Sequence, residues 1–85
     1  DPGDHALAAR LGATDLEEAA HRITAIRETL EETGLVVGVR GAISAEDAVR
    51  ARGLLAESGT LEPVLTAMGW TLDLDAVVPF ARWHP

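Results

Sequence analysis

Apolar residues recur at three- and four-residue intervals between positions 16 and 30, as they do along one face of an amphipathic helix. Thr14 is suited to cap the start of this helix, and Glu17 completes a capping box three residues later. Gly34 suits the left-handed conformation in which many helices end. The pattern therefore predicts a helix over residues 15–33, whose apolar stripe comprises Leu16, Ala19, Ala20, Ile23, Ile26 and Leu30.

Three further helices are predicted because residues that commonly flank helices bound each of them. Their expected ranges are 4–11, 45–57 and 61–68. The residues expected to cap their starts are Gly3 or Asp4, Ser44, and Thr60, and the residues expected to end the last two helices are Gly59 and Gly69.

Two segments have the composition of strands. Residues 35–39, LVVGV, form a continuous apolar run, which predicts burial on both faces. Residues 76–83 form the second, and Pro79 within it indicates an edge strand or a bulge. Because two short strands do not make a stable sheet alone, we expect them to pair beneath the helices or with strands from outside this chain. The predicted fold class is α+β.

The composition excludes several classes of protein and of binding partner. The chain has 85 residues, enough for one small domain, and 47% of them are hydrophobic, which excludes a disordered polymer. Fourteen acidic residues against seven basic ones give a net charge of −7, which argues against a nucleic-acid partner and is compatible with cation binding. The absence of cysteine excludes disulfides and thiolate metal sites.

No apolar run approaches the roughly 20 residues of a membrane span, and the first residues lack the basic and apolar segments of a signal peptide. We therefore expect a cytoplasmic protein with no membrane partner. The chain begins without methionine and stops directly after the second predicted strand, so we expect it to be part of a longer protein.

The stretch RETLEETGL, residues 27–35, concentrates negative charge at the end of the predicted long helix. Glu28, Glu31 and Glu32 are three or four residues apart, so they are neighbours on the helix face opposite Leu30. Each such pair costs about 0.2–0.5 kcal/mol at a surface, and acids near a helix C-terminus oppose the helix dipole. Two readings follow: a solvated acidic helix end, or half of a site for Mg²⁺ or Mn²⁺, which prefer carboxylate oxygens.

The same stretch resembles the second half of the Nudix box, REUxEExGU, in which U is an apolar residue. Thr29 stands where an aliphatic residue is usual, and the first half of the box is not met, since Ala13 and Ala19 occupy its glycine and glutamate positions. The residues that match the second half are Arg27, Glu28, Glu31, Glu32, Gly34 and Leu35.

In this departure the chain is similar to the coenzyme A diphosphatase-like branch of the Nudix family, which carries an insertion before an RETFEE-type motif. The segment VPFARW, residues 78–83, resembles a strand of that branch. The resemblance implies the central segment of a Nudix α/β/α sandwich. Its expected parts are a loop and the Nudix helix over 1–34, a strand or connection over 35–43, a helical insertion over 44–69, and a connection and strand over 70–85.

The resemblance also implies hydrolysis of a diphosphate linkage in a nucleoside diphosphate derivative, with coenzyme A or acyl-coenzyme A as candidate substrates. Glu28, Glu31 and Glu32 would bind Mg²⁺ or Mn²⁺, one of them would position or deprotonate the attacking water, and Arg27 would be the supporting ion pair; Glu28 and Arg27 are the expected catalytic residues. We expect little activity from this chain alone, because substrate positioning contributes much of the rate. The alternative is a non-catalytic helical module that binds a partner or forms a homo-oligomer through exposed apolar surface.

Other polar and aromatic residues are interpreted conservatively. His5, His21 and His84 lack the spacing of a metal site, and the tryptophans are expected to pack rather than to stack on bases. Arg50 and Arg52 are expected on a solvated helix face.

Overall fold

The computed structural model describes residues 2–74. This part of the chain folds into four helices: α1 Pro2–Arg10, α2 Leu16–Thr33, α3 Ala45–Ser58 and α4 Glu62–Met68. The long helix α2 packs against both α1 and α3, and α3 packs against α4. The predicted acidic stretch therefore lies at the end of the central helix.

The two longer helices begin and end close to their predicted bounds. The N-cap of α2 is Asp15 rather than Thr14, because the Asp15 carboxylate accepts a hydrogen bond from the backbone N–H of Glu18 at 3.1 Å. Gly34 ends α2 with a left-handed φ of +76°, as predicted. Ser44 caps α3 as expected, by accepting from the backbone N–H of Asp47.

The two shorter helices differ from the prediction at their starts. Helix α1 begins at Pro2, which a first helical turn tolerates because its N–H has no partner there. Asp4 consequently lies inside the helix and is not its cap. Helix α4 begins at Glu62, after Leu61, and makes no side-chain cap bond, so Thr60 does not have the predicted capping role.

The predicted α+β sandwich is wrong for the described residues, which are helical and form no sheet. An isolated antiparallel bridge joins Val39 to Leu72. Gly38, with a φ of +72°, turns the chain within the predicted strand, and Leu35 and Val37 are exposed rather than buried. An apolar run becomes a buried strand only when other strands pair with its edges and other elements cover both of its faces, and within residues 2–74 it has only the bridge to Leu72. The second predicted strand, 76–83, lies outside the described residues.

The hydrophobic core lies between the helices. Of the predicted stripe on α2, Leu16 is 44% exposed because it is the first residue of the helix, and the other five residues are buried. Trp70 packs against the edge of the core, as expected of a packing tryptophan. The buried core consists of Leu7, Ala8, Ala19, Ala20, Ile23, Ile26, Leu30, Ala51, Leu55, Leu61, Val64, Leu65 and Leu72. No helix within residues 2–74 has the length and apolar character needed to cross a membrane.

Candidate functional site

The last two turns of α2 present an acidic face. Ile26 and Leu30 point into the core, and the side chains of Glu28, Glu31 and Glu32 are all exposed on the other side of the helix. The helical spacing accounts for this arrangement, since residues three and four apart share a face. The structure thus brings the three predicted ligand residues to one surface.

Arg27 extends its side chain from α2 towards α1. Its side chain is only 12% exposed, and its Nη2 and Nε atoms lie 3.2 and 3.3 Å from Oδ2 of Asp4. Its Nη1 atom lies 3.7 Å from Oε2 of Glu31, four residues further along the same helix. Arg27 therefore connects a buried carboxylate to one member of the acidic face.

The pKa of Arg27 is raised above its ordinary value, mainly by the hydrogen bond with Asp4. Partial burial acts in the opposite direction, and the negative charges of Asp4, Glu31 and Glu28 add to the increase. Arg27 is consequently a fixed positive charge over the whole physiological pH range.

Asp4 is the residue of this site that the sequence analysis missed. It is 1% exposed, and the hydroxyl of Thr24 donates a hydrogen bond of 2.7 Å to its Oδ2 atom. From the sequence, Gly3 or Asp4 was expected to cap the first helix, and Asp4 was assigned no role in the site. Its partner Arg27 is 23 residues away, so no local pattern indicates the contact.

Arg52 of α3 holds the C-terminal end of α2. Its Nη2 and Nε atoms donate to the backbone carbonyl of Glu31 at 2.9 and 3.2 Å. Arg52 lies on an exposed face of α3, as expected, and it also makes this contact with α2. A cation at this end of a helix interacts favourably with the helix dipole, which offsets part of the unfavourable placement of the glutamates.

The glutamates offer oxygen ligands that suit a hard cation, but they do not form a preorganised metal site. Within residues 2–74, no three histidine or carboxylate side chains converge closely enough to hold a metal ion. Glu28, Glu31 and Glu32 nevertheless offer carboxylate oxygens, the ligand type that Mg²⁺ and Mn²⁺ prefer. All three side chains are exposed to solvent.

A separate cleft lies beside the first half of α2. It is lined by His5, Asp15, Glu17, Glu18 and His21, together with Ala20 and Thr24. None of the three predicted ligand residues contributes to it. The acidic face is thus an open surface of the helix rather than the wall of this cleft.

Comparison with protein-family models, with curated proteins and with solved structures finds no match for this chain. The functional argument accordingly rests on the residues of α2 and their contacts.

Proposed function

We propose that α2 carries the metal-binding face of a Nudix-type diphosphate hydrolase that depends on Mg²⁺ or Mn²⁺. The observation that supports this proposal is that residues 27–33 of RETLEETGL lie in one helix, which Gly34 ends. The three glutamates of this stretch share an exposed face. The guanidinium group of Arg27 pairs with the buried carboxylate of Asp4. The proposal rests on this motif and its resemblance, and not on the fold, since residues 2–74 contain no sheet.

Each residue has a distinct role in the proposed site. Glu28, Glu31 and Glu32 are the metal ligands, and Glu28 is also the group that positions or deprotonates the attacking water. Arg27 supports the carboxylates as an ion pair; its partly buried side chain faces Asp4, so it does not reach outward to substrate. A bound divalent ion would supply positive charge for phosphate oxygens and lower the pKa of a coordinated water.

The proposed substrates are nucleoside diphosphate derivatives, with coenzyme A and acyl-coenzyme A as the candidates that the resemblance implies. The location proposed with this activity is cytoplasmic. In this proposal the chain supplies the metal-binding part of the site and is an incomplete part of the enzyme.

Calorimetric titration with Mn²⁺ tests the proposal. The chain is compared with the Glu28→Gln/Glu31→Gln/Glu32→Gln variant, and we expect Mn²⁺ binding by the parent and none by the variant. A matched control carries the same change of charge at three other exposed glutamates on helices, namely Glu17→Gln, Glu46→Gln and Glu57→Gln.

The control separates a specific site from general attraction of a cation to an acidic protein. Equal loss of binding in both triple variants would show that only the net charge matters. Unchanged binding in the first variant would show that the ion lies elsewhere. Either result would contradict the assignment of Glu28, Glu31 and Glu32 as metal ligands.

Exposed apolar side chains favour the second candidate, a helical module that binds a partner or itself. Leu35 is 60% exposed and Val37 is 39% exposed, although both belong to an apolar run. This module predicts association that rises with protein concentration in analytical ultracentrifugation and that does not respond to Mn²⁺. The metal-binding helix of an enzyme predicts instead a response to Mn²⁺ and no association that rises with protein concentration.

A further inference from the structure

We propose that an apolar groove beside α1 and α4 is the docking site for the segment that follows the described residues, 75–85, and that the ring of Phe80 is the anchoring side chain. None of the residues that line this groove belongs to α2. The proposal is therefore independent of the metal-binding face and goes beyond the proposed function.

The lining of the groove is mainly apolar. Leu11, which directly follows α1, is 47% exposed, although it stands beside the hydrophobic core. An ion pair of 2.7 Å between Arg10 and Glu62 joins α1 to α4, and Glu62 also lines the groove. The apolar lining residues are Leu7, Leu11, Leu65, Trp70 and Leu72. A surface of this kind gains free energy when an apolar side chain covers it.

The size of the groove favours a short peptide segment as its occupant. Its volume is about 260 Å³, which is below the range of roughly 300–1,000 Å³ usual for small-molecule sites. A folded partner would need a much larger contact, since stable interfaces bury about 1,200–2,000 Å² in total. One large side chain and its immediate neighbours are the occupants that the groove fits.

The chain leaves the described fold beside this groove. Leu72 lines the groove and is joined to Val39 by the antiparallel bridge. The backbone N–H of Asp73 donates to the carbonyl of Gly38 at 2.7 Å, so the path of the chain is fixed at this point. Residue 75 thus begins only three positions after a lining residue. Such a tether makes docking intramolecular, with an effective concentration on the order of mM, so a weak contact suffices.

The composition of residues 75–85, DAVVPFARWHP, suits an apolar groove. The segment carries Val77, Val78, Trp83 and Phe80, which is the single phenylalanine of the chain. The Phe80 ring has no polar atom, so its burial leaves no donor unpaired, whereas the indole N–H of Trp83 needs a partner when buried. At about 3.3 Å per residue, the eight positions between Leu72 and Phe80 allow the chain to turn back onto the groove.

A nuclear Overhauser spectrum of the full chain, with its leucine methyl groups labelled with ¹³C, tests the proposal. We expect cross-peaks from the Phe80 ring to the methyl groups of Leu11 and Leu65, and a ring-current shift of those methyl resonances. The Phe80→Ala variant should lose both the cross-peaks and the shift. The methyl resonances of Leu30, which is buried but does not line the groove, should stay in place.

Leu11→Ser and Leu16→Ser form a matched pair on the groove side of the contact. The two leucines are 47% and 44% exposed, but only Leu11 lines the groove. We expect Leu11→Ser to abolish the cross-peak between Phe80 and Leu65, and Leu16→Ser to preserve it. Circular dichroism verifies that each variant retains its helices.

Three results would overturn the proposal. The first is a folded parent chain in which the Phe80 ring gives no cross-peak to Leu11 or Leu65. The second is a mixture of differently labelled chains in which these cross-peaks arise only between two copies, since the occupant would then be a second molecule. The third is loss of the cross-peak in Leu16→Ser as well as in Leu11→Ser, because the contact would then not depend on the groove. None of these results depends on whether the chain binds Mn²⁺.

Discussion

Asp4 and Arg27 form the most deeply buried ion pair described in residues 2–74, with side chains 1% and 12% exposed. Removal of one partner from a buried pair leaves an uncompensated charge, which usually costs about 3–5 kcal/mol. The surface pair Arg10–Glu62 contributes much less to the free energy of unfolding, because both of its side chains are well exposed to water. The contacts of Arg27 with Asp4 and Glu31, together with the burial of Asp4, therefore concentrate sensitivity to mutation in the proposed site.

Two glycines offer a test of local conformation at the residue scale. Gly34 has a left-handed φ of +76°, and an added Cβ would lie 3.2 Å from Nη1 of Arg52. We expect Gly34→Ala to destabilise the chain by about 1–2 kcal/mol, mainly through backbone strain. Gly53 lies inside α3 with open space around it, so Gly53→Ala should stabilise by about 0.5–1 kcal/mol.

Urea unfolding followed by circular dichroism measures both glycine variants. The pair is its own control, because the same methyl group is added at the end of one helix and in the middle of another. A stabilising Gly34→Ala would show that α2 does not end in the left-handed conformation.

At the element scale, α3 supports the acidic end of α2 through Arg52. The bonds from this side chain to the carbonyl of Glu31 satisfy one of the carbonyl groups that the end of a helix otherwise leaves to water. The sequence predicts both helices but not this contact, because the two residues are 21 positions apart. The stability of the motif thus depends on a neighbouring helix.

The Arg52→Ala variant tests that dependence. We expect faster amide hydrogen exchange in the last turn of α2, corresponding to a local loss of about 1 kcal/mol, with the rest of α2 unchanged. Arg50→Ala is the control, since Arg50 is an exposed arginine on the same helix. Exchange that rises equally in both variants, or in neither, would contradict the capping role of Arg52.

The segment 35–39 shows the limit of a strand prediction made from composition. Val36 and Val39 pack against the core, but Leu35 and Val37 are exposed and Gly38 turns the chain. Whether an apolar run is covered on both faces depends on which elements lie beside it. In residues 2–74 those elements are helices and a single bridge to Leu72.

For the whole molecule, the net charge of −7 means that any cation should relieve some self-repulsion. A cation that binds a specific site adds to this, because a ligand at 100 times its Kd stabilises the native state by about 2.7 kcal/mol. We therefore expect MnCl₂ to raise Tm further than NaCl of the same ionic strength. The increase specific to Mn²⁺ should disappear in the Glu28→Gln/Glu31→Gln/Glu32→Gln variant.

Thermal unfolding by circular dichroism gives this comparison directly. A parent chain whose Tm responds equally to the two salts at matched ionic strength would indicate screening alone. That result would favour the interaction module over the enzyme helix.

The sequence by itself determined the helices and the composition of the acidic face. Helix periodicity, caps and terminal glycines act between residues at most four positions apart, so α2 and α3 and the shared face of Glu28, Glu31 and Glu32 follow from local rules. Only the tertiary structure decided that Asp4 lies buried against Arg27, that Arg52 binds the end of α2, and that residues 35–39 form no sheet. These features join residues more than 20 positions apart or depend on neighbouring elements, and a local pattern carries no information about such packing.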